Sequence, residues 1–531
     1  MNKYIIIMRG VPGSGKCHQK GTKILMYDGS IKNVECIKTD EQVMGDDSKE
    51  RNVLSTTNGF GKLYKITPNK GEPFVVNENH ILVLNKSGNM FWSHGKIKNI
   101  GKLKRNIEIS VKDYLKKNNV GVSRLKLIRS GVEFKEKETS KYLTPYFLGL
   151  WLGDGTSANN HITTIDKEII YYLHDYAYNV DADITITPQH KNKNVSCYAI
   201  VYHKKYNIYK NKKGNPIINK LRELNLINNK HIPNLYKINS RKKRLELLAG
   251  LIDSDGYYNK CCFNIVTKSD KLKDDILYLC KSLGFAAYAA NAANASKIIK
   301  TIKSINFSGE YWSINISGNI DEVPTLLKRK QAQKRKMSKD VLVTGFNIEY
   351  VGEGEYYGFN IDKNNRYLMG DFTITHNSSI SNILSTRFNA VVHSTDNYHI
   401  KEFLWFKWYK FDKKKLGYYH MLNYDAFMES VDNAKEMIVV DNTNVYRKLY
   451  MSYVIEGKEN GYKIVDIKFE PNDIEVHMKR NVHNVPEKTV KKMINALKSN
   501  WGNKDFDISI TIKKDMTIDQ IKTILKEKLN G

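Results

Sequence analysis

Nowhere in this sequence do about 18 apolar residues run together, so a membrane-spanning helix is not expected. Met1 to Met8 offers one lysine and only a short apolar stretch, too little for the core of a secretion signal. Cysteine is scarce as well. The six stand at 17, 36, 197, 261, 262 and 280, in a spacing that fits neither a disulfide framework nor a paired C-x-x-C zinc site. A cytoplasmic protein without membrane attachment is therefore expected. Acid is in short supply too: Asp and Glu number 56 against 85 Lys and Arg, a formal charge of +29. Such a surplus points first to polyanions such as nucleic acid. It is spread along the whole chain, so a Lys- and Asn-rich coding bias is the competing explanation, and DNA binding has to rest on motifs. What is present is a folding composition, with 41% apolar, 11% aromatic and 27% charged residues. At about 150 residues per domain, 531 residues allow two to four domains.

Tyr4 to Met8 reads as a short buried strand and runs at once into Gly10-Val-Pro-Gly13-Ser14-Gly15-Lys16. This is the phosphate-loop pattern G-x-x-x-x-G-K in the position it requires. Its glycines let backbone N–H groups converge on phosphate oxygens, and its lysine reaches the terminal phosphates. The pattern then demands Ser or Thr as a magnesium ligand, followed by a helix. Instead Cys17-His18-Gln19-Lys20-Gly21 follows, with a glycine and a fresh turn. The missing piece stands far downstream, where Ser378-Ser379-Ile380 opens a segment with a cap residue and helical apolar spacing at 380, 383 and 384. Joining Lys16 to Ser378 restores G-V-P-G-S-G-K-S. The sequence therefore looks like one protein interrupted by another.

Both ends of the interrupting segment, residues 17–377, bear chemistry. Cys17 begins it, His376-Asn377 ends it, and the hydroxyl of Ser378 lies just beyond. Inside, Cys17 to Gly29 reads as two short strands around an Asp28-Gly29 turn, Asn77-Glu-Asn-His80 follows, and Tyr356 to Asn377 reads as terminal strands. In these residues the segment resembles an intein, a self-splicing insert with an all-β Hint fold. Asn77 stands where a threonine is usual, Gly358 where many inteins place an acid, and Arg366 where many place a histidine. The resemblance implies that Cys17 attacks the Lys16 carbonyl to make a thioester, with His80 as general acid. Ser378 then takes residues 1–16 onto its oxygen, and Asn377, helped by His376, cyclises and releases the insert. No cofactor is needed, because every step is intramolecular.

Two further stretches repeat within the insert, Phe147-Leu-Gly-Leu-Trp-Leu-Gly-Asp154-Gly155 and Leu248-Ala-Gly-Leu-Ile-Asp-Ser-Asp255-Gly256. Small residues four apart, Gly149 with Gly153 and Gly250 with Ser254, let two helices pack backbone to backbone and bring an acid to each end. Paired carboxylates suit a divalent metal for phosphodiester cleavage. The second stretch resembles the LAGLIDADG homing endonuclease motif almost letter for letter; the first departs from it at Leu152. Thr163 onward and Val266 onward repeat at similar offsets after each motif, so a pseudo-twofold α+β fold is expected. The resemblance implies double-stranded DNA as partner (the uninterrupted host gene), Mg2+ held by Asp154 and Asp255, and Lys268 as a basic residue near the scissile phosphate. Lys230-His-Ile-Pro233 also resembles such nucleases. The alternative is a nuclease fold that has lost its activity.

The flanks, rejoined, form one domain. Strand-like runs at Ala390–His393, Met437–Val440 and Lys463–Phe469 alternate with helical stretches, which predicts a parallel α/β sheet. Asp396 follows one strand in Ser394-Thr-Asp-Asn-Tyr398, Asp441 ends another in Asp441-Asn-Thr-Asn444, and Lys479-Arg480-Asn-Val-His483-Asn-Val-Pro486 precedes a helix. Together with the restored loop these blocks resemble small P-loop kinases of the polynucleotide kinase type. The resemblance implies ATP on Gly10, Gly13, Ser14, Gly15, Lys16, Ser378 and Ser379, Mg2+ on Ser378, Asp396 as base for a 5′-hydroxyl nucleic acid, and Arg480 on the moving phosphate. His399 and Ile400 stand where an arginine would help hold substrate phosphate, so a small-molecule kinase is the competing host; Asp441 is either functional or structural. The expected map is a host strand and loop at 1–16, a splicing domain at 17–112 and 326–377, an endonuclease at 113–325 and the host remainder at 378–531, in a monomer. A permanent fusion that never splices is the rival to a self-splicing precursor.

Overall fold

The computed structural model describes residues 3–9, 17–86, 90–93, 96–99, 106–116, 125–189, 192–202, 214–291, 311–334, 340–376, 384, 388–395, 415–471, 474, 486–502, 504–513, 516 and 518–529. The chain divides into two compact units, Met1–Ile128 with Gly345–Gly531, and Arg129–Thr344.

In the first unit the segment Tyr4–Arg9 is the middle strand of a five-stranded sheet whose other members all come from beyond residue 390. It pairs in parallel with Met437–Asp441 on one side and Lys463–Phe469 on the other; Val391–His393 and Ile508–Ile512 form the edges, also parallel. All six residues of the middle strand are buried, and both of its faces are used. Ile6 and Met8 join Val439, Val465 and Leu525 in one core, while Ile5 and Ile7 join Val440, Phe427 and Tyr453 in the other. That two-sided burial explains a strand without alternation, as parallel sheets covered on both faces require. The strand Ile508–Ile512 was not anticipated, since its alternating Ile-Ser-Ile-Thr-Ile pattern follows no motif.

The same unit holds two larger antiparallel sheets. In one, the long strands Glu50–Pro68 and Phe346–Ile361 pair over most of their length, and the short strand His18–Gln19 is seated between Tyr356–Tyr357 and Val76. In the other, Ile81–Lys86 pairs with Asn106–Ser110 and with Ile374–His376, which pairs in turn with Arg366–Leu368. Lys23–Leu25 and Ile31–Asn33 form a hairpin whose turn uses Gly29 at φ 85° and an Asp28 carboxylate accepting from the Ser30 N–H at 2.8 Å.

The second unit is a duplication around two helices, Pro145–Asp154 and Arg241–Asp255. They meet at glycines. A Cβ on Gly149 would overlap the Leu247 carbonyl oxygen, and one on Gly250 would overlap that of Tyr146. After each helix the chain repeats one path. Gly155 bridges Ile162, then come the strand Ile162–Thr164, the helix Lys167–Asn179 and the strands Asp183–Gln189 and Asn192–Val201. In the second half Gly256 pairs with Ile265, followed by the helix Asp270–Ser282 and the strands Ala286–Asn291 and Trp312–Ser317. In the first half the last strand lies in the middle of its sheet, beside Ile162–Thr164; in the second it lies inside its sheet between Phe263–Thr267 and Ala286–Asn291. One continuous apolar core, including Phe147, Trp151, Leu248 and Phe263, serves both halves.

Candidate functional site

Cys17 is fully buried just before the strand His18–Gln19. Its backbone N–H, the nitrogen of the Lys16–Cys17 peptide, donates to the Asn77 Oδ1 at 3.2 Å, and the Cys17 carbonyl accepts from the Asn77 N–H at 3.1 Å. Asn77, unusual at this place in the motif, thus grips the peptide that splicing would rearrange. A tight turn from Asn77 to His80, closed by the His80 N–H on the Asn77 carbonyl at 3.1 Å, presents the His80 ring. Its Nε2 lies 2.7 Å from the Thr375 hydroxyl, and its ring stands 4.4 Å, centroid to centroid, from that of His18. His18 in turn is 2.8 Å from the Tyr367 hydroxyl through Nε2. His80 therefore touches the residue after one junction and a residue two places before the other.

Burial sets the charge state of this row. It pushes the Cys17 thiol well above its ordinary value and holds His18 down at about 3, so both are neutral in the resting protein. Tyr367 is likewise driven up by burial and by the nearby Cys17. His18 and Tyr367 escape a reading of the sequence because neither belongs to a junction; only strand pairing brings them to His80.

His376 is buried at the end of the strand Ile374–His376, in register with Arg366 on one neighbour and Ile81 on the other. Its Nε2 lies 3.7 Å from Glu108 Oε2, and the other oxygen of that carboxylate accepts from Arg366 Nη2 at 2.7 Å and Nε at 3.0 Å. Asn377, Ser378 and Ser379 lie outside the described residues, as do Gly10, Gly13, Ser14, Gly15, Lys16, Asp396 and Arg480. Around the ends of the parallel strands the described residues include Asn444, whose Nδ2 donates to the Met8 carbonyl at 2.9 Å, and Asn442, which accepts from the Thr395 N–H at 2.8 Å. The Asp441-Asn-Thr-Asn444 block thereby ties three parallel strands at their carboxyl ends, where such sheets hold ligands.

In the second unit Asp154 and Asp255 end the two packed helices, where a Cβ on Gly153 would overlap the Ser254 hydroxyl. Burial and the neighbouring Asp255 push Asp154 up to about 7, against the pull of Lys330 and Lys230. Asp255 is raised by burial, again opposed by both lysines. The lysines are built in by symmetry. Lys230 Nζ donates to the carbonyls of Leu152, Gly153 and Gly155 at 3.0, 3.0 and 2.7 Å, closing the first helix. Lys330 Nζ does the same for Ile252, Asp253 and Ser254 at 2.7, 2.9 and 3.0 Å, closing the second. Each ammonium satisfies carbonyls at a helix C-terminus and faces the acids beyond. Asp253 accepts from the Tyr146 hydroxyl at 2.7 Å and the Leu326 N–H at 2.6 Å, which anchors the segment leading to Lys330. Lys268 holds its ammonium 4.7 Å from the centre of the Tyr311 ring. Lys330 was missed because it lies far from either motif. Among the described residues no group of three or more His, Cys, Asp or Glu could hold a metal ion.

The family model for Hom_end-associated Hint matches residues 17–376. The chain belongs to that family. The match begins at Cys17 and ends at His376, and so spans the Hint residues described above. Among curated proteins the Hint chain is similar to the replicative DNA helicase DnaB of Mycobacterium intracellulare, 32% identical over 142 residues that cover 27% of this chain and 19% of the helicase. It is also similar to a catalytic subunit of the V-type proton ATPase of Candida tropicalis, 38% identical over 50 residues, 9% of this chain and 5% of that one. It spans a fifth or less of the length of these relatives. Among solved structures it is similar to I-DmoI in complex with DNA and Ca, at 15% identity and a TM-score of 0.22, covering 34% of this chain and 85% of that one. The gp41-1 intein matches at 18% identity and a TM-score of 0.13, covering 18% and 81%. No helix among the described residues is long and apolar enough to cross a membrane.

Proposed function

We propose that the chain is a self-splicing precursor in which residues 17–377 excise themselves and join Lys16 to Ser378. The observation that carries this reading is the meeting at His80 of His18, next to the first junction, and Thr375, just ahead of the second. The Cys17 sulfur gives up its proton and adds to the Lys16 carbonyl carbon, the bond to the Cys17 nitrogen breaks, and that nitrogen takes up one proton, so the step is balanced. Asn77 orients the N–H of this peptide, and His80, fixed by Thr375, supplies the proton. Ser378 displaces the sulfur, Asn377 cyclises to cut the branch, and an O-to-N shift leaves a Lys16–Ser378 peptide. Burial of the Cys17 thiol keeps water from the thioester. The test is expression followed by gel electrophoresis: splicing gives a ligated host and a free insert, whereas a permanent fusion stays at 61.3 kDa.

The second unit we read as a DNA endonuclease. Asp154 and Asp255 would hold a divalent cation, which when bound activates water and stabilises the leaving oxygen. Their mutual repulsion under burial is what such an ion relieves. Lys230 and Lys330 neutralise the remaining charge and rigidify the helix ends. The substrate is the uninterrupted host coding sequence, since the insertion itself splits that site. Cutting of that DNA, and not of the interrupted gene, is the expected result.

For the host we propose an ATP-dependent kinase acting on the 5′-hydroxyl of nucleic acid. Support comes from the restored loop and from its strand lying at the centre of a parallel sheet. Gly10 to Lys16 and Ser378 would hold ATP and Mg2+, with Asp396 as base and Arg480 on the phosphate. Radiolabel transfer from ATP to 5′-hydroxyl DNA or RNA by the spliced host tests it.

A further inference from the structure

Glu108 belongs to none of the motifs that mark the splicing residues, yet it is built into their neighbourhood. It lies on the strand Asn106–Ser110, in register with Val83, while His376 is in register with Ile81 of the same central strand. The Glu108 carboxylate is divided between two partners. Oε1 accepts two charge-assisted hydrogen bonds from Arg366, which fix the plane of the carboxylate, and Oε2 is turned to His376 Nε2 at 3.7 Å. Arg366 is itself backed by Asp46 at 3.5 Å. His376 is buried while Glu108 and Arg366 are half-buried, so the field of the carboxylate on the imidazole is only partly screened.

We propose that Glu108 is the positioning residue for His376 in the step that breaks the Asn377–Ser378 bond, with Arg366 as the counter-charge that keeps Glu108 aimed. The inference rests on the splicing reading and names how its last cut is organised. In that cut the Asn377 side-chain nitrogen bonds to the Asn377 carbonyl carbon, the bond to the Ser378 nitrogen breaks, and a succinimide closes. One proton leaves the attacking amide and one arrives on the departing amine, so the step balances through an imidazole that gives one and takes the other. An acid at Nε2 does two things for such an imidazole. It sets which ring nitrogen faces the carboxylate and which handles the proton, and it stabilises the imidazolium that must donate to the amine. Arg366 prevents Glu108 from being so basic that it captures the proton itself.

The test uses the full chain in two backgrounds. In Cys17→Ala, where only the downstream cut remains, release of residues 378–531 is followed over time. Glu108→Gln is expected to slow it roughly 10- to 100-fold, Glu108→Asp to recover much of the loss, and Arg366→Met to slow it about 3- to 10-fold. In Asn377→Ala, where only the upstream step remains, thiol-induced cleavage at Cys17 should change by less than about 2-fold in Glu108→Gln, a readout that a folding defect would lower. Unchanged release in Glu108→Gln, or equal losses at both junctions without recovery by Asp, overturns the proposal. If the Cys17→Ala parent itself releases nothing while folded, the splicing reading fails, and this one with it.

Discussion

The Hint core and the duplicated unit bury their chemistry in opposite ways. Around Cys17 burial removes charge: the thiol is held protonated and His18 neutral, and the side chains pair through hydroxyls and an amide. At Asp154 and Asp255 burial concentrates charge, with two acids and two lysines gathered at the ends of two helices. The difference follows from where the reactants are. In the proposed splicing reaction every atom that reacts is already in the chain, so the Cys17 side of the site can be sealed and neutral without loss. A site proposed to take DNA and a metal ion would stay costly to leave empty, because the repulsion of Asp255 on Asp154 is what such a cation would relieve.

The largest test of this contrast removes the sealed site's own reactants. Cys17→Ala combined with Asn377→Ala is expected to trap the full-length precursor at 61.3 kDa with no ligated host visible on a gel. Ligated host from that variant would falsify the mechanism. Next in size, chelation with EDTA, or Asp154→Asn or Asp255→Asn, should lower cutting of the uninterrupted site by about a thousandfold or more. Splicing measured in the same samples should be untouched, since it needs no ion. Loss of both together would erase the distinction between the regions.

A smaller effect concerns stability. Asp154 titrates near 7 when folded and near the ordinary carboxylate range when unfolded, so the folded chain binds the extra proton between those values. Its contribution is fully present below about pH 4 and is lost as pH rises through about 7, up to ~4 kcal/mol. Without metal, the thermal midpoint of the wild type should fall more between pH 5 and pH 8 than that of Asp154→Asn. Added Mg2+ at pH 8 should raise the wild type and leave the variant in place. The smallest effect lies in the neutral row. Tyr367→Phe strands a buried His18 nitrogen at a cost of about 1–3 kcal/mol, and splicing rates followed by gel should fall about 10-fold or less.

Bond-making chemistry narrows residue choice so severely that Cys17, His376, Asn377 and Ser378, the residues proposed to react, stand out in a bare sequence, above all where they coincide with an interrupted phosphate-loop pattern. The packed helices are legible for a comparable reason. Only small residues four apart admit the approach that the structure has at Gly149 and Gly250, and their ends dictate where Asp154 and Asp255 meet. The middle strand Tyr4–Arg9 announces itself by unbroken apolarity.

What only the tertiary structure decided are partnerships across sheets and between distant helix ends. Glu108 reaches Arg366 and His376 through strand register, His18 reaches His80 through a two-residue strand wedged between others, and Lys330 reaches the acids through a segment pinned by Asp253. None of these side chains leaves a local signature, because a charge or an imidazole on a short strand is compatible with many environments. Sequence determined which groups are proposed to react and which helices could touch. Register and burial, which depend on contacts between residues hundreds of positions apart, decided which of the remaining polar groups serve them and in what charge state.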